Sequence, residues 1–310
     1  MPTAPSTGPK LRIAGSLWIL VNHPSSHDEW SLETKVAAIA GARFEGIQAP
    51  WLADLSELLS RHGLAWIGVL DAGNRQNFAA QLARFKRPEV VLVNAQLGDH
   101  DTPPDIALEL ALDIMSAADQ QGVPLQIETH RDTATETPEK FATLVEGFKQ
   151  ATGRPLPVTW DHSHFALIKH LHPDDFTTRL ITHDELLGRS HLLHCRPFNS
   201  HHCQIPVCHQ SGQLTPEFLN WLQFMREVFR RWITSPHLTS PTGRALGRAG
   251  NRGGTKWLSF VGFPRPMARG TAMRRRIKTP LGRVCCRSIN GDWSPQFWPP
   301  SSHRRTFETC

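Results

Sequence analysis

The chain has no apolar run long enough to cross a bilayer, and no early basic segment followed by an apolar stretch. The sequence therefore gives no indication of a membrane span or a secretory signal. We expect a cytoplasmic protein with no membrane partner. Its six cysteines all fall within the last 116 of 310 residues. A disulfide-stapled secreted domain does not usually distribute its cysteines in this way.

Acidic residues are scarce towards the C-terminus. Residues 241–310 hold 14 Lys/Arg and only two acids, Asp292 and Glu308, whereas residues 1–240 hold 20 Lys/Arg and 26 Asp/Glu. The average net charge of +6 thus combines an acidic body with a strongly basic end. Clustered arginines such as those at 274–276 can neutralise phosphates. The tail nevertheless shows no helix with a basic face and no interleaved aromatic pattern, so a nucleic-acid partner is not favoured.

Strand and helix patterns alternate at a similar spacing through the first 240 residues. The patterns predict strands at 11–21, 44–48, 65–70, 90–94, 125–128, 158–160 and 191–194. They predict helices at 31–42, 52–62, 78–85, 104–121, 138–151, 173–181 and 216–234. These seven units predict a parallel α/β sheet or a closed barrel, and residues 256–263 alternate well enough to supply an eighth strand.

Metal-type ligands follow three of these strands. Glu128 ends one strand, Asp161 follows another with His162 and His164 close behind, and His194 ends a third. The carboxyl ends of parallel strands share one edge of a sheet or barrel, where active sites are usually found. The pattern predicts a site for a divalent metal ion at this edge.

The segments around these residues are QIETHR (126–131), WDHSHF (160–165), HCRPFN (194–199) and HCQIPV (202–207). With them, residues 11–234 resemble the sugar phosphate isomerase/epimerase family of xylose isomerase-like TIM barrels, a superfamily that includes endonuclease IV-type DNA-repair enzymes. The resemblance implies a (β/α)8 TIM barrel over residues 11–265 with an atypical eighth unit. A flexible arm, residues 1–10, would precede the barrel, and a basic, poorly ordered tail, residues 266–310, would follow it.

The resemblance also implies a function and a site. The expected activity is isomerisation or epimerisation of a small sugar or sugar phosphate, by proton transfer next to a carbonyl with a divalent ion, Mn²⁺ first and Mg²⁺, Co²⁺ or Zn²⁺ as alternatives. The expected metal ligands are Glu128, Asp161 and His194. The expected catalytic residues are Glu128, His164 and Arg196. The expected substrate-binding residues are Asn94, Gln96, His130 and Arg196.

The sequence departs from the family at strand eight. Residues 257–266 contain no acid, so the fourth ligand of the family, which is also a proton-transfer group, is missing. One hypothesis is that the basic end is translated from a shifted reading frame. Sequencing the locus tests it, because a single-base shift near codons 240–265 that restores an acidic strand eight would support the hypothesis.

Several alternatives stay open. Glu128 and Asp161 could cap helices or pair with Arg131, and His162 could simply be packed in the core. The barrel could bind a sugar without catalysis, and the chain could form a homo-oligomer. A phosphodiesterase would need further ligands, for which the available histidines are His62, His100 and His130. A zinc ion could be held by the cluster of His194, Cys195, His201, His202, Cys203, Cys208 and His209.

Overall fold

Eight parallel strands close into a barrel in the computed structural model, which describes residues 9–73, 77–234 and 255–261. The strands are β1 (Lys10–Ser16), β2 (Gly46–Pro50), β3 (Ala65–Ala72), β4 (Val90–Leu97), β5 (Leu125–Glu128), β6 (Val158–Trp160), β7 (Leu192–His194) and β8 (Thr255–Phe260). Their order around the barrel follows the chain, and β8 closes the ring by pairing with β1 and β7. The predicted TIM barrel is confirmed.

Helices connect the strands. They are α1 (Leu32–Gly41), α2 (Leu55–His62), α3 (Phe78–Ala83), α4 (Pro104–Gln121), α5 (Pro138–Thr152), α6 (His162–Ile168), α7 (Phe176–Leu180), α8 (Asp184–Arg189) and α9 (Pro216–Thr234). Two 3-10 turns, Leu17–Leu20 and Pro173–Asp175, and a ribbon of two short strands, Pro24–Ser25 and Asp28–Glu29, complete the described elements.

Local sequence explains where the long helices begin and end. The Thr137 hydroxyl accepts a hydrogen bond from the Lys140 amide at the start of α5, where Pro138 takes a position that needs no amide hydrogen. α4 and α5 end at Gly122 and Gly153, whose φ angles of 66° and 70° lie in the left-handed region that favours glycine. These signals let the sequence place both helices to within one residue.

Apolar side chains fill two layers. Inside the barrel, Ala14, Ile67, Leu92, Leu192 and Trp257 form one buried cluster. The larger cluster lies between the strands and the helices, where α9 contributes its buried face. That face consists of Phe218, Trp221, Phe224, Met225, Val228 and Trp232. The inner cluster lies one layer below the polar residues of the carboxyl-terminal mouth.

Several elements differ from the prediction. The strand expected at 11–21 ends at Ser16 and is followed by a 3-10 turn, and α8 was not predicted. The helix expected at 173–181 is a 3-10 turn followed by the short α7, and the chain after β6 enters α6 at once. The Asp161 carboxylate begins α6 by accepting a hydrogen bond from the Ser163 amide. His162, Ser163 and His164, which follow the predicted strand directly, therefore form the first turn of a helix.

Some predictions lie outside the described residues. These are most of the arm at 1–10, the Gly/Arg-rich segment at 240–254 and the basic tail at 266–310. Within the described ranges, no helix has both the length and the apolar character needed to cross a membrane.

Lys256 of β8 is buried on the side of the strand that faces the helices. Its ammonium donates to the carbonyl oxygens of Gly188 (2.9 Å) and Ser190 (3.1 Å) and lies 4.7 Å from the centre of the Trp232 ring. The charge therefore caps the C-terminal end of α8. Burial lowers the pKa of Lys256 to about 7.

We predict that Lys256 makes stability depend on pH. Between its lowered pKa and the ordinary lysine value, the unfolded chain holds a proton that the folded chain has lost, so folding becomes more favourable as pH rises. The free energy of unfolding should gain about 2 kcal/mol from this group between pH 7 and pH 9. The raised pKa of His194 acts in the opposite direction in every variant, so the prediction concerns a difference. In EDTA, the free energy of urea unfolding of the natural chain minus that of Lys256→Met should rise by this amount. The exposed Lys86→Met is the control, and equal pH profiles for all three proteins would contradict the prediction.

Candidate metal centre

The three predicted ligands meet at the mouth of the barrel. Glu128 is the last residue of β5, Asp161 follows β6 directly, and His194 is the last residue of β7. These strands are neighbours in the barrel, and all three side chains are buried. One potential ligand atom from each lies within 4.8 Å of the others. Three residues separated by dozens of positions in sequence therefore converge on one point.

Amides from the neighbouring strand hold one oxygen of Glu128. Asn94 Nδ2 donates to Glu128 Oε2 at 2.6 Å, and Gln96 Nε2 donates to the same oxygen at 3.0 Å. Both residues belong to β4. The sequence predicts that Asn94 and Gln96 bind substrate, and the structure places both at the mouth with their amide nitrogens on this carboxylate. The other oxygen, Oε1, faces His194 Nδ1 at 2.9 Å.

The two oxygens of Asp161 have different surroundings. Oδ1 accepts hydrogen bonds from the backbone amide (3.0 Å) and the hydroxyl (2.5 Å) of Ser163. Oδ2 is buried without a hydrogen bond. It lies 3.4 Å from a nitrogen of each of His164, His194 and Arg196. Capping α6 thus fixes the carboxylate with its second oxygen directed at three cationic or imidazole groups.

Gln48 of β2 fixes the ring of His194 from the far side of the barrel. The Gln48 side-chain nitrogen lies 3.0 Å from His194 Nε2, whereas Gln48 Oε1 is buried without a partner. A half-turn of the amide would let Oε1 accept the Nε2 proton. His194 Nδ1, which makes no hydrogen bond despite its position between the two carboxylates, would then present a lone pair to a metal ion.

The three groups compensate one another's charge. Burial acts to raise the pKa of Glu128, but the charges of His194 and His130 hold it below its usual range. Burial opposes ionisation of Asp161 as well, yet Arg196 and His164 keep its pKa well below normal. Burial likewise disfavours the charged His194 ring, but Glu128 and Asp161 raise its pKa to about 9. Two buried carboxylates therefore require positive charge beside them.

The donor set fits a divalent ion. Asp161 Oδ2 and His194 Nδ1 are buried atoms with no hydrogen bond, and Glu128 Oε1 lies beside them. His194 would give up its Nδ1 proton to bind the ion. Two carboxylates and an imidazole suit Mn²⁺, and also Mg²⁺, Co²⁺ or Zn²⁺. Such an ion would supply the positive charge that the carboxylates need. These three residues would hold it.

Three further predicted residues lie beside the ligands. His130 and His164 have ring centres 4.0 Å apart, and His130 Nδ1 lies 2.5 Å from the Arg131 carbonyl oxygen, so that its Nε2 is the nitrogen left for other contacts. Both ring nitrogens of His164 are buried without a hydrogen bond, and burial lowers the pKa of His164 to about 3. Arg196 has a buried Nε without a partner. All three offer unused hydrogen-bonding groups to a polar ligand.

A second group of potential ligands shares Glu128. Glu128, His130 and His164 also have one atom each within 4.8 Å of one another. In the described part of the chain, these two triads are the groups found with that geometry, and neither contains a cysteine. The zinc cluster considered from the sequence is thus not among them.

The remaining candidate histidines have other surroundings. His162 is buried and stacks on Trp160 at a ring separation of 5.3 Å, which agrees with a packed core residue. Burial lowers its pKa to about 4. His62 ends α2, and His100 pairs with Asp132 at 2.5 Å on the surface. Of the three extra histidines that a phosphodiesterase could use, only His130 lies at the site.

No protein-family model and no curated protein matches the sequence. Solved structures match over most of the chain. One is D-allulose 3-epimerase from Methylomonas sp., 12% identical, with a TM-score of 0.51 over 83% of this chain and 86% of that one. Another is an L-ribulose 3-epimerase, 14% identical, with a TM-score of 0.50 over 82% of each chain. A third is a probable 3-DHS dehydratase from Bacillus anthracis, 14% identical, with a TM-score of 0.51 over 80% of this chain and 92% of that one.

The chain has the barrel fold of these sugar epimerases. The resemblance expected from the sequence is confirmed at the level of fold, because identities this low carry no residue roles with them. The barrel includes two polar residues at its mouth that the sequence analysis did not single out, Gln48 and Ser259. Gln48 ends a predicted strand, as Glu128 does, so its position was a usable signal. Nothing in the local sequence indicates that Gln48 reaches His194 across the barrel.

We predict that Gln48 supports metal binding. Replacing it with Met removes the amide that holds the His194 ring, and the loss of such an orienting partner usually weakens metal affinity by about 10- to 100-fold. Isothermal titration with Mn²⁺ measures the change. Gln120→Met, on the exposed side of α4, is the matched control and should bind as the natural chain does. Equal affinities for all three proteins would show that Gln48 does not position the ligand.

Proposed function

We propose that this barrel is a divalent-metal-dependent isomerase or epimerase of a small sugar or sugar derivative. The single observation that carries the proposal is the buried convergence of Glu128, Asp161 and His194 at the barrel mouth. The likeness in fold to two sugar 3-epimerases supports the substrate class. We further propose Mn²⁺ as the ion, residues 11–265 as the catalytic domain and the cytoplasm as the compartment.

The reaction would be proton transfer at the carbon next to a carbonyl group. The bound ion would supply Lewis-acid stabilisation of the negative charge that develops on the substrate oxygens. Glu128 is the base that takes the proton from carbon, because Asn94 and Gln96 fix one of its oxygens and orient the other. The pKa of Glu128 lies below its usual range, so the carboxylate is ionised at neutral pH.

Neighbouring residues would handle the oxygen atoms of the substrate. His164 is a neutral imidazole at physiological pH, because burial lowers its pKa to about 3. Its unpartnered nitrogens suit exchange of a hydroxyl proton with the substrate. Arg196 remains cationic and has a free Nε for a substrate oxygen. His130, in ring contact with His164, would border the same substrate.

Two alternatives make different demands on the site. A non-catalytic sugar-binding barrel would use the same mouth without moving a proton. A phosphodiesterase would need a second ion, for which Glu128, His130 and His164 are the available group. Metal content separates the three functions. One ion per chain favours the isomerase or epimerase, two or more tightly held ions favour the phosphodiesterase, and no ion favours the non-catalytic barrel.

We predict that the Mn²⁺-loaded protein catalyses exchange of the carbon-bound proton next to a carbonyl with deuterium from D₂O. NMR of a panel of ketoses and their derivatives measures this exchange, which isomerases and epimerases share. Glu128→Gln should slow it by about 10³-fold, the size of effect expected for loss of a general base. Glu146→Gln, on the outside of α5, should leave it unchanged.

The variant must be compared at saturating metal, because Glu128 is also a proposed ligand. Exchange that survives in Glu128→Gln with the ion bound would assign the base to another residue. Tight sugar binding with no exchange by the natural chain would favour the non-catalytic barrel.

A further inference from the structure

Strand β8 contributes a hydroxyl group to the inner surface of the mouth. Ser259 pairs in register with His194 of β7. Trp257 and Leu192, two residues earlier on each strand, both belong to the cluster inside the barrel. Because side chains alternate along a strand, Ser259 and His194 also face inward. Ser259 is fully buried, and its Oγ has no hydrogen-bond partner.

The buried charges of the site do not cancel when a metal ion is present. With His194 neutral as a metal ligand, the ionised groups at the ligand cluster in the described part of the chain are the carboxylates of Glu128 and Asp161 and the guanidinium of Arg196. A divalent ion adds two positive charges, which gives three positive charges against two negative ones. Excess charge in a poorly hydrated pocket is costly, so a ligand that brings a negative charge is favoured. Ser259, which stands beside His194, adds no such charge.

Arg196 is suited to receive that negative charge. Its side chain is 16% exposed, so it borders the open part of the mouth. Its nearest carboxylate oxygen, Asp161 Oδ2, is 3.4 Å from one terminal nitrogen, and its Nε is buried with no partner. A guanidinium with unused N–H groups binds a planar carboxylate well through two parallel hydrogen bonds.

We propose that the substrate carries a carboxylate beside its reacting hydroxyl or carbonyl group, and that Ser259 determines this preference by leaving the mouth one negative charge short. The substrate class is thus a polyhydroxy acid rather than a neutral ketose. This inference rests on the metal site of the proposed function. The carboxylate would bind Arg196, beside the ion that Glu128, Asp161 and His194 would hold.

Competing ligands test the preference in the Mn²⁺-loaded protein. Isothermal titration would compare D-gluconate, D-fructose and D-fructose 6-phosphate as probes of a carboxylate, a neutral ketose and a phosphate. The natural chain should bind gluconate at least about tenfold more tightly than fructose, a difference equivalent to about 1.4 kcal/mol. Fructose 6-phosphate should bind less tightly than gluconate.

Variants of Ser259 separate charge from shape. Ser259→Asp adds the missing negative charge, so it should weaken gluconate binding by at least about tenfold, leave fructose binding unchanged or improved, and tighten Mn²⁺ binding. Ser259→Ala, the matched control, should keep the natural preference. If Ser259→Asp does not fold, Arg196→Gln gives the same comparison, because it removes a positive charge and should abolish the gluconate preference.

The outcomes distinguish this inference from the proposed function. Mn²⁺ binding with fructose preferred over gluconate would overturn the inference and leave the metal site intact. Fructose 6-phosphate bound most tightly would overturn the carboxylate assignment. Absence of Mn²⁺ binding by the natural chain would refute the metal site and the inference with it.

Discussion

The structure of the mouth depends on compensating two carboxylates that are buried together. Glu128 and Asp161 lie on adjacent strands and share His194 between them. An ionised carboxylate without a partner cannot remain in such a place, because the loss of hydration costs several kcal/mol. Several groups at the mouth contribute to this compensation. Amides of β4 hold one carboxylate, a helix N-terminus holds the other, and imidazole and guanidinium groups surround both.

The burial of the carboxylates at the barrel mouth affects how the site could bind a ligand. The polar layer stands on an apolar plug inside the barrel, and both carboxylates are buried. Low hydration strengthens each electrostatic contact and fixes the positions of the ligands before any ion or substrate arrives. The unsatisfied atoms of the mouth, which include Asn94 Oδ1, Gln48 Oε1 and both nitrogens of His164, all lie in this layer. These atoms lie where a ligand would bind, whereas other unpartnered atoms, such as both ring nitrogens of His162 and Trp221 Nε1, lie outside the mouth.

Much of the fold could be predicted from the sequence because its signals are local. Apolar strand patterns, prolines at helix starts and glycines after helix ends fix α4 and α5 to within one residue. The start of α6 was harder to predict, because the residues of its first turn, His162 to His164, are polar but buried. Asp161 caps this helix, a role that the sequence had left open as an alternative to metal binding.

The site, too, contains residues that could be predicted from the sequence and residues that could not. Glu128, Asp161 and His194 could be found because each follows a strand, and the barrel then brings these strand ends together. Gln48 and Ser259 could not be assigned from the sequence, since their roles depend on which residues stand opposite each other across the ring. The same is true of Asn94 and Gln96, whose predicted role was substrate binding and whose nitrogens contact Glu128.

The two faces of strand β8 have different surroundings. Lys256 faces the helix layer, where carbonyl oxygens and an indole ring surround its ammonium, whereas Trp257 faces the apolar interior. A slip of one residue relative to β1 and β7 would exchange these sides. It would drive a cation into the apolar plug and leave the end of α8 without its capping charge. The side chains of β8 therefore favour one register with β1 and β7. That register also places Ser259 beside His194.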